Sequence, residues 1–224
     1  MELAHNLARE HRVDVRALTL DLTASDAAAR ITNALDGEPI GLLVYNAALS
    51  HIGPWIDHSI DDQLRIVDVN VRAVLRLTHA LARPMVDRRR GGILLVSSNT
   101  ALNGHGLTAT YGGTKAFIAM LSEALWAELK PLGIDVLAAC PGATRTPGYL
   151  ASGSRLPSAM TMSPDHVARE SLDALGEHGP VWVIGAANRW TSRALQFFPR
   201  NVGAYAMSAM MRVVYPTQAK RRRR

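Results

Sequence analysis

The stretch ILLVSSNTALNGHGLTATYGGTK, residues 93–115, joins an apolar strand pattern to the start of a helical one. It contains Ser98 and, thirteen residues later, Tyr111, with Lys115 four residues beyond the tyrosine. Residues four apart lie on one face of a helix. The ammonium of Lys115 can therefore approach the phenol of Tyr111 and favour its ionised form. This spacing predicts a tyrosine that transfers protons near neutral pH.

Outward from this stretch, strand patterns alternate with helical ones along the chain. The strand patterns are at 13–20, 40–45, 93–96, 134–139 and 181–184. The helical patterns are at 2–11, 25–35, 60–89, 111–132 and 165–176. Strands separated by helices predict βαβ units and a parallel sheet with right-handed crossovers. The expected fold class is α/β, a doubly wound parallel sheet in a single domain over 1–224, with an apolar C-terminal extension at 188–224.

The predicted strands end in small or polar residues, which is where doubly wound sheets place their ligands. These residues are Asp21, Asn46, Ala47, Ala48, Ser97, Ser98, Pro141 and Gly142. The sequence therefore predicts one site along the carboxyl edge of the sheet.

Composition excludes several classes of protein. The formal charge is +6, but residues 220–224 supply five of these charges, so the preceding chain is nearly neutral and nucleic-acid binding is not expected. Cys140 is the one cysteine, which excludes an intrachain disulfide framework and favours a cytoplasmic location. The eight histidines lack metal-ligand spacing, so no metal is predicted. The sequence also shows neither a signal peptide nor a transmembrane helix.

The ordered motifs resemble those of the short-chain dehydrogenase/reductase family, from the first strand pattern to near the end of the chain. A Tyr-x-x-x-Lys pair alone is weak evidence. Here it stands with Ser98 before it, with Asn70 in VNVRA, with Asn46-Ala47-Ala48 in place of the family's Asn-Ala-Gly, and with a Pro-Gly-x-x-x-Thr element. That element comprises Pro141, Gly142 and Thr146.

The resemblance implies a Rossmann-like fold and hydride transfer between NAD or NADP and a carbonyl or secondary alcohol. Ser98 and Tyr111 would then bind the carbonyl oxygen, Tyr111 would deliver the proton, and Lys115 would lower the pKa of Tyr111 and hold the nicotinamide ribose. Asn70 would order a water that links Lys115 to solvent. The implied cofactor contacts are Asp21, Asn46, Ala47, Tyr111, Lys115, Pro141, Gly142 and Thr146.

Several of these residues have simpler interpretations. Asp21 could only cap the turn that ends a strand, and Asn70 could be a buried amide bonded to backbone. Gly104-x-Gly106-x-x-Ala109 matches a relaxed dinucleotide fingerprint, but a true fingerprint follows its strand immediately. We interpret it as a substrate-side loop.

The resemblance also implies a strand, a glycine-rich turn and a second strand before residue 13, and the sequence shows none of these. We therefore expect the first two strands of the family fold to be absent, either because the chain starts short of the usual start or because the first strand has repacked. The missing second strand leaves the choice between NAD and NADP open.

The segment 147–163 is expected to form a mobile lid over an apolar small-molecule substrate. The apolar stretch 188–215 would pack on the substrate site or on another subunit of a homo-oligomer, a dimer or tetramer. Alternatively, it would attach to a membrane surface with the help of the basic tail, 220–224. Two functions follow: an NAD(P)-dependent oxidoreductase, or a non-catalytic binding or membrane-surface protein that has lost its dinucleotide site.

Overall fold

A four-stranded parallel sheet forms the centre of the computed structural model, which describes residues 2–220. The strands are β1 (Leu42–Tyr45), β2 (Gly91–Val96), β3 (Ile134–Cys140) and β4 (Val181–Val183), in the spatial order β1-β2-β3-β4. The helices are α1 (Glu2–His11), α2 (Ala27–Ala34), α3 (Ile60–Val67), α4 (Ala73–Asp87), α5 (Ala109–Leu129), α6 (Pro147–Ala151), α7 (Pro164–Ala174), α8 (Ala186–Gln196) and α9 (Arg200–Val214).

Helices cover both faces of this sheet, which confirms the predicted doubly wound α/β class. On one face, Ile93 and Leu95 of β2 pack with apolar residues of α4 and α5, including Leu77 and Ile118. On the other face, Leu94 packs with residues of β3 and α7. Alternate residues of β2 thus point to opposite faces, and both faces are buried, which explains its continuous apolar run.

The predicted strand at 13–20 is wrong, because this segment runs outside the sheet and pairs with no described strand. A strand is stable only where a neighbour pairs with its backbone groups. Apolar periodicity cannot show whether that neighbour is present. Arg16, within the segment, instead pairs with Glu38 at 2.6 Å, and Val13 is half exposed.

The long helix predicted at 60–89 is interrupted near Asn70. It forms as α3 and α4, joined by a π-helical turn over Asp68–Arg72. Ser59 caps α3 by accepting a hydrogen bond from the backbone N–H of Asp62 at 3.1 Å. Such π turns often lie at functional sites, and this one contains Asn70.

The turn after α5 depends on a glycine. Gly133 has φ of +82°, and a Cβ atom there would lie 2.3 Å from the carbonyl oxygen of Arg89. We expect Gly133→Ala to lower the free energy of unfolding by about 2 kcal/mol or more, because both the backbone and the contact become strained.

Gly113→Ala is the matched control, since a Cβ at this position in α5 meets no atom within 4 Å. It should raise the free energy of unfolding by up to about 1 kcal/mol through helix propensity. Urea denaturation measures both values. Equal effects of the two substitutions would contradict this account of the turn.

Candidate active site

Backbone hydrogen bonds extend the sheet beyond the end of β2 and fix Ser98. The N–H of Ser97 donates to the carbonyl of Ala139 at 2.7 Å, and the N–H of Asn99 donates to that of Pro141 at 3.0 Å. Between these bonds Ser98 is extended, with φ of −167° and ψ of 157°. Its Oγ accepts from the N–H of Thr100 at 3.2 Å. The hydroxyl of Ser98 is thereby held at the carboxyl edge of the sheet.

Tyr111 and Lys115 lie near the start of α5, on the side that faces the end of β2. The side chain of Ser98 lies close enough to that of Tyr111 to lower the pKa of the phenol. The Nζ of Lys115 lies 5.6 Å from the centroid of the Tyr111 ring. The structure therefore brings together the three side chains that the sequence singled out.

Two further hydrogen bonds fasten α5 to β2 at this point. The Nζ of Lys115 donates to the carbonyl of Val96 at 2.6 Å. The hydroxyl of Ser97 donates to the backbone carbonyl of Lys115 at 2.7 Å. Ser97 thus holds α5 against the end of β2. Lys115 is bonded to the same strand, and its charged group lies near the ring of Tyr111.

The pKa of Tyr111 differs from the expectation that Lys115 lowers it. Burial raises the pKa of Tyr111 above its ordinary value, and the hydroxyl of Ser98 opposes this only in part. The desolvation of the phenolate is therefore the largest cause, and the charges of Cys140 and Tyr215, when ionised, act in the same direction. Tyr111 is a protonated phenol at neutral pH.

The pKa of Lys115 is lowered to about 8 because burial penalises its charge. Its side chain is almost entirely buried, at 1% exposure. Its ammonium has no carboxylate partner among residues 2–220. Below pH 8 the site therefore contains a buried positive charge that the protein itself does not neutralise.

Asn70 is buried and connects the segment after β1 to α5. Its Oδ1 accepts from the N–H of Leu49 at 2.8 Å, and its Nδ2 donates to the carbonyl of Leu49 at 2.9 Å and to Oγ1 of Thr114 at 3.0 Å. These contacts match the interpretation of a buried amide bonded to backbone. The role of Asn70 in a water relay stays a prediction.

The predicted cofactor contacts have different surroundings. Ala47, after β1, packs against the core, whereas Asn46 is exposed. A Cβ on Gly142 would lie 2.8 Å from Nδ2 of Asn188, so this glycine permits the close approach of α8. Thr146 caps α6 by accepting from the N–H of Tyr149 at 3.2 Å. For each of these, cofactor contact stays a prediction.

Asp21 occupies the turn that its simpler interpretation predicted. Its Oδ1 accepts from the N–H of Thr23 at 2.9 Å and from the Thr23 hydroxyl at 2.7 Å. These bonds lower the pKa of the Asp21 carboxyl. Because the segment before it pairs with no described strand, Asp21 is not at a strand end, and its contact with a cofactor stays a prediction.

The sequence placed Tyr215 in a stretch expected to pack on the substrate site or on another subunit, but gave Tyr215 itself no role. Its charge when ionised would raise the pKa of Tyr111, so the two phenols lie within electrostatic range. Tyr215 is buried with Met211 and Val214 against Ile52, Leu107 and Leu156. The near-helical spacing of this stretch was visible in the sequence, but its contact with a loop about a hundred residues away was not.

Two atoms next to Ser98 also lack a partner. Oδ1 of Asn99 and Oγ1 of Thr100 are buried and accept or donate no hydrogen bond within the described part of the chain. Buried polar groups are normally satisfied.

Two negative findings concern residues 2–220. Among them, His, Cys, Asp and Glu side chains form no group that could hold a metal ion. Within the same range, every helix is too short or too polar to cross a bilayer.

The buried charge of Lys115 yields a prediction on stability. Its pKa is about 8 in the folded protein against an ordinary value of 10.5. Between these values the unfolded chain binds more protons, so this group makes stability rise with pH. From pH 7.5 to 9.5, the unfolding free energy of the wild type should rise by about 2 kcal/mol relative to that of Lys115→Met.

Groups that titrate in both proteins cancel in this difference, so the pH dependence that remains reports Lys115 alone. Denaturant titrations at several pH values measure it. A difference that stays constant with pH would show that the ammonium is not desolvated.

Comparison with known proteins agrees with this geometry. A family model described as short chain dehydrogenase matches residues 1–153. A very-long-chain 3-oxoacyl-CoA reductase of Aspergillus clavatus is 29% identical over 206 residues, which cover 88% of this chain and 58% of that protein. A 7beta-hydroxysteroid dehydrogenase of Collinsella aerofaciens is 28% identical, with 84% of this chain and 73% of that protein covered.

The chain spans 54–58% of the length of three curated relatives that are all very-long-chain 3-oxoacyl-CoA reductases or similar to them, the Aspergillus clavatus protein included. Among solved structures, a 7beta-hydroxysteroid dehydrogenase has a TM-score of 0.84 at 24% identity, covers 92% of this chain and 82% of its own, and supports the fold alone. A short-chain dehydrogenase from Sphingobium yanoikuyae in complex with NADPH has a TM-score of 0.75 at 28% identity, over 99% and 85% of the two chains. Since the family model covers more than half of its 224 residues, this chain belongs to the short-chain dehydrogenase family.

Proposed function

We propose that this protein is an oxidoreductase that transfers hydride between NAD or NADP and a carbonyl or secondary alcohol. The observation that carries the proposal is the arrangement of Ser98, Tyr111 and Lys115 at the carboxyl edge of the sheet. The relatives named above are reductases or dehydrogenases, and one was solved with NADPH.

The nicotinamide end of the cofactor fits the residues present. Within residues 2–220, the ammonium of Lys115 donates only to the Val96 carbonyl, which leaves N–H groups for hydroxyls such as those of a ribose. A dinucleotide's pyrophosphate is usually held by a glycine-rich turn between a strand and a helix. Residues 2–40 contain one glycine, Gly37, in the turn after α2. We therefore assign residues to the nicotinamide end of the cofactor and none to its pyrophosphate. The bound cofactor would supply or accept the hydride.

Ser98 and Tyr111 would act on the carbonyl oxygen. Negative charge grows on this oxygen as the carbon accepts hydride, and hydroxyl donors already in place stabilise it. The extended backbone at Ser98 and the position of Tyr111 near the start of α5 hold both hydroxyls before a substrate arrives. Preorganised donors of this kind need no rearrangement during the reaction.

Tyr111 would donate the proton that completes reduction. Because its pKa is raised, the phenol is protonated at neutral pH and is ready to act as an acid. Once the proton leaves, the phenolate lies beside the ammonium of Lys115, which stabilises it. A protonated Tyr111 beside Lys115 favours carbonyl reduction over alcohol oxidation near pH 7.

We also propose an apolar substrate. Tyr215, Met211 and Val214 of the α9 region form an apolar cluster with Leu156 of the predicted lid segment, and Tyr215 is near Tyr111. The relatives' names, a very-long-chain 3-oxoacyl-CoA reductase and a 7beta-hydroxysteroid dehydrogenase, indicate the candidates to test first. These are a long-chain 3-oxoacyl thioester and a 7-oxosteroid.

A homo-oligomer and a cytoplasmic location stay predictions. The oligomer is supported by apolar side chains exposed on two adjacent helices, Leu64 on α3 and Met120 on α5. Peripheral membrane contact through the basic tail also stays a prediction, and residues 221–224 of that tail lie outside the described part of the chain. A non-catalytic binding role is not favoured, because Ser98, Tyr111 and Lys115 are all present and lie close together.

Replacing the proposed acid should abolish turnover. Tyr111→Phe should lower kcat for reduction of a 7-oxosteroid or a 3-oxoacyl thioester by at least about 100-fold, because no other group donates the proton. The readout is NADPH oxidation at constant protein concentration.

Tyr205→Phe is the matched control, since Tyr205 is 76% exposed on α9. It should retain wild-type turnover. Full activity in Tyr111→Phe, with its circular dichroism unchanged, would exclude Tyr111 as the acid.

The pH dependence of kcat/KM for reduction should follow the loss of the proton from Lys115. The kcat/KM for reduction reflects groups of the free enzyme, and the pKa of Lys115 there is about 8. Activity should therefore be highest below pH 8 and should fall above it, as the charge that stabilises the Tyr111 phenolate is lost. A profile that stays flat to pH 10 would contradict this role.

A further inference from the structure

Four exposed aromatic side chains lie on α8, on α9 and in the turn between them. Trp190 is 71% exposed, Phe197 89%, Phe198 56% and Tyr205 76%. Trp190 lies on α8 and Tyr205 on α9, whereas Phe197 and Phe198 lie in the turn that joins the two helices. We call Trp190, Phe197, Phe198 and Tyr205 the aromatic corner. Exposed aromatic groups of this size usually mark an interaction surface.

The segment of chain that carries the aromatic corner has basic side chains and no acidic ones. Residues 178–224 contain nine lysines and arginines and no aspartate or glutamate, whereas residues 1–177 contain 16 basic and 19 acidic side chains. Arg193 lies between Trp190 and Phe197 in sequence, and Arg200 follows Phe198 by two residues. Both arginines are exposed, and neither takes part in a salt bridge within residues 2–220.

The opposite face of α9 is fixed to the protein, so the corner cannot turn inward. Oγ of Ser208 accepts from the N–H of Gly106 at 2.8 Å. A Cβ on Gly104 would lie 3.7 Å from that of Ala204, so small residues allow α9 to approach this loop closely. Met211 and Val214 on the same face are buried. The loop that contains Gly104 and Gly106 is thus the surface on which α9 packs.

We propose that the aromatic corner, with Arg193 and Arg200, binds the surface of an anionic lipid bilayer. Aromatic side chains favour the headgroup boundary, and arginines are attracted to anionic lipid. Together they give the apolar and basic composition of interfacial helices.

A second copy of the chain fits this surface less well. Pairing two aromatic corners would bring Arg193 and Arg200 of both copies together without any acidic residue from 178 onward to offset them. Like charges at such an interface are costly. A lipid surface supplies the opposite charge, and this inference does not require catalytic activity.

Vesicle sedimentation with the full chain tests the proposal. Vesicles of phosphatidylcholine alone would be compared with vesicles containing about 30% phosphatidylserine, at low and high salt. The protein should bind the anionic vesicles and largely ignore the neutral ones. Salt should weaken the binding, and the fluorescence of Trp190 should shift to the blue, a change absent in Trp190→Phe.

Two sets of variants locate the contact. Phe197→Ser with Phe198→Ser should weaken binding to anionic vesicles by about tenfold or more, because the apolar contribution is lost. Arg193→Gln with Arg200→Gln should weaken it and reduce its dependence on salt. Leu3→Ser is the control, since Leu3 is 72% exposed on α1 and distant in sequence from the corner.

Four results would overturn the proposal. In the first, wild-type protein stays in the supernatant with both kinds of vesicle. In the second, corner variants bind like Leu3→Ser and only deletion of 220–224 removes binding, which assigns the attraction to the tail. In the third, light scattering shows a dimer that the Phe197 and Phe198 substitutions dissociate, which makes the corner a subunit interface. In the fourth, corner variants lose affinity for an acidic protein but keep it for vesicles, which makes that protein the partner.

Discussion

The hydrogen bond from the ammonium of Lys115 to the carbonyl of Val96 is the contact on which the site depends. It joins the end of β2 to the first turns of α5 at 2.6 Å, inside the protein. A buried ammonium without a carboxylate partner is costly. The fold retains it 5.6 Å from the centroid of the Tyr111 ring, where we propose that it stabilises the phenolate formed by proton transfer.

Polar bonds, in addition to apolar packing, bring the strand ends together. Asn70 connects the segment after β1 to α5 through Leu49 and Thr114, and Ser97 connects β2 to α5. The backbone of Asn99 connects β2 to the segment after β3. Each of these bonds is buried or half-buried, so breaking one leaves an unpaired group, and this fixes the hydroxyls of Ser98 and Tyr111 in place.

Local patterns predicted most of the fold and the composition of the site. The strand at 93–96 was predictable because its continuous apolar run fits a strand buried on both faces, and the Tyr111–Lys115 proximity follows from helix geometry alone. The strand at 13–20 failed because pairing depends on a distant neighbour. The pKa of Tyr111 was mispredicted because the sequence shows the nearby cation but not the degree of desolvation. The sequence did not show which residues Tyr215 contacts, because these contacts depend on how α9 packs.

The transfer of an isotopic label tests the central claim most directly. The protein would be incubated with NADPH deuterated at C4 of the nicotinamide and with a 7-oxosteroid or a long-chain 3-oxoacyl thioester, and the alcohol product analysed by mass spectrometry. The account predicts one deuterium on the carbinol carbon with the wild type and unlabelled, unreduced substrate with Tyr111→Phe. Failure of the folded wild-type protein to transfer label to either substrate, at any pH below 8, would contradict it.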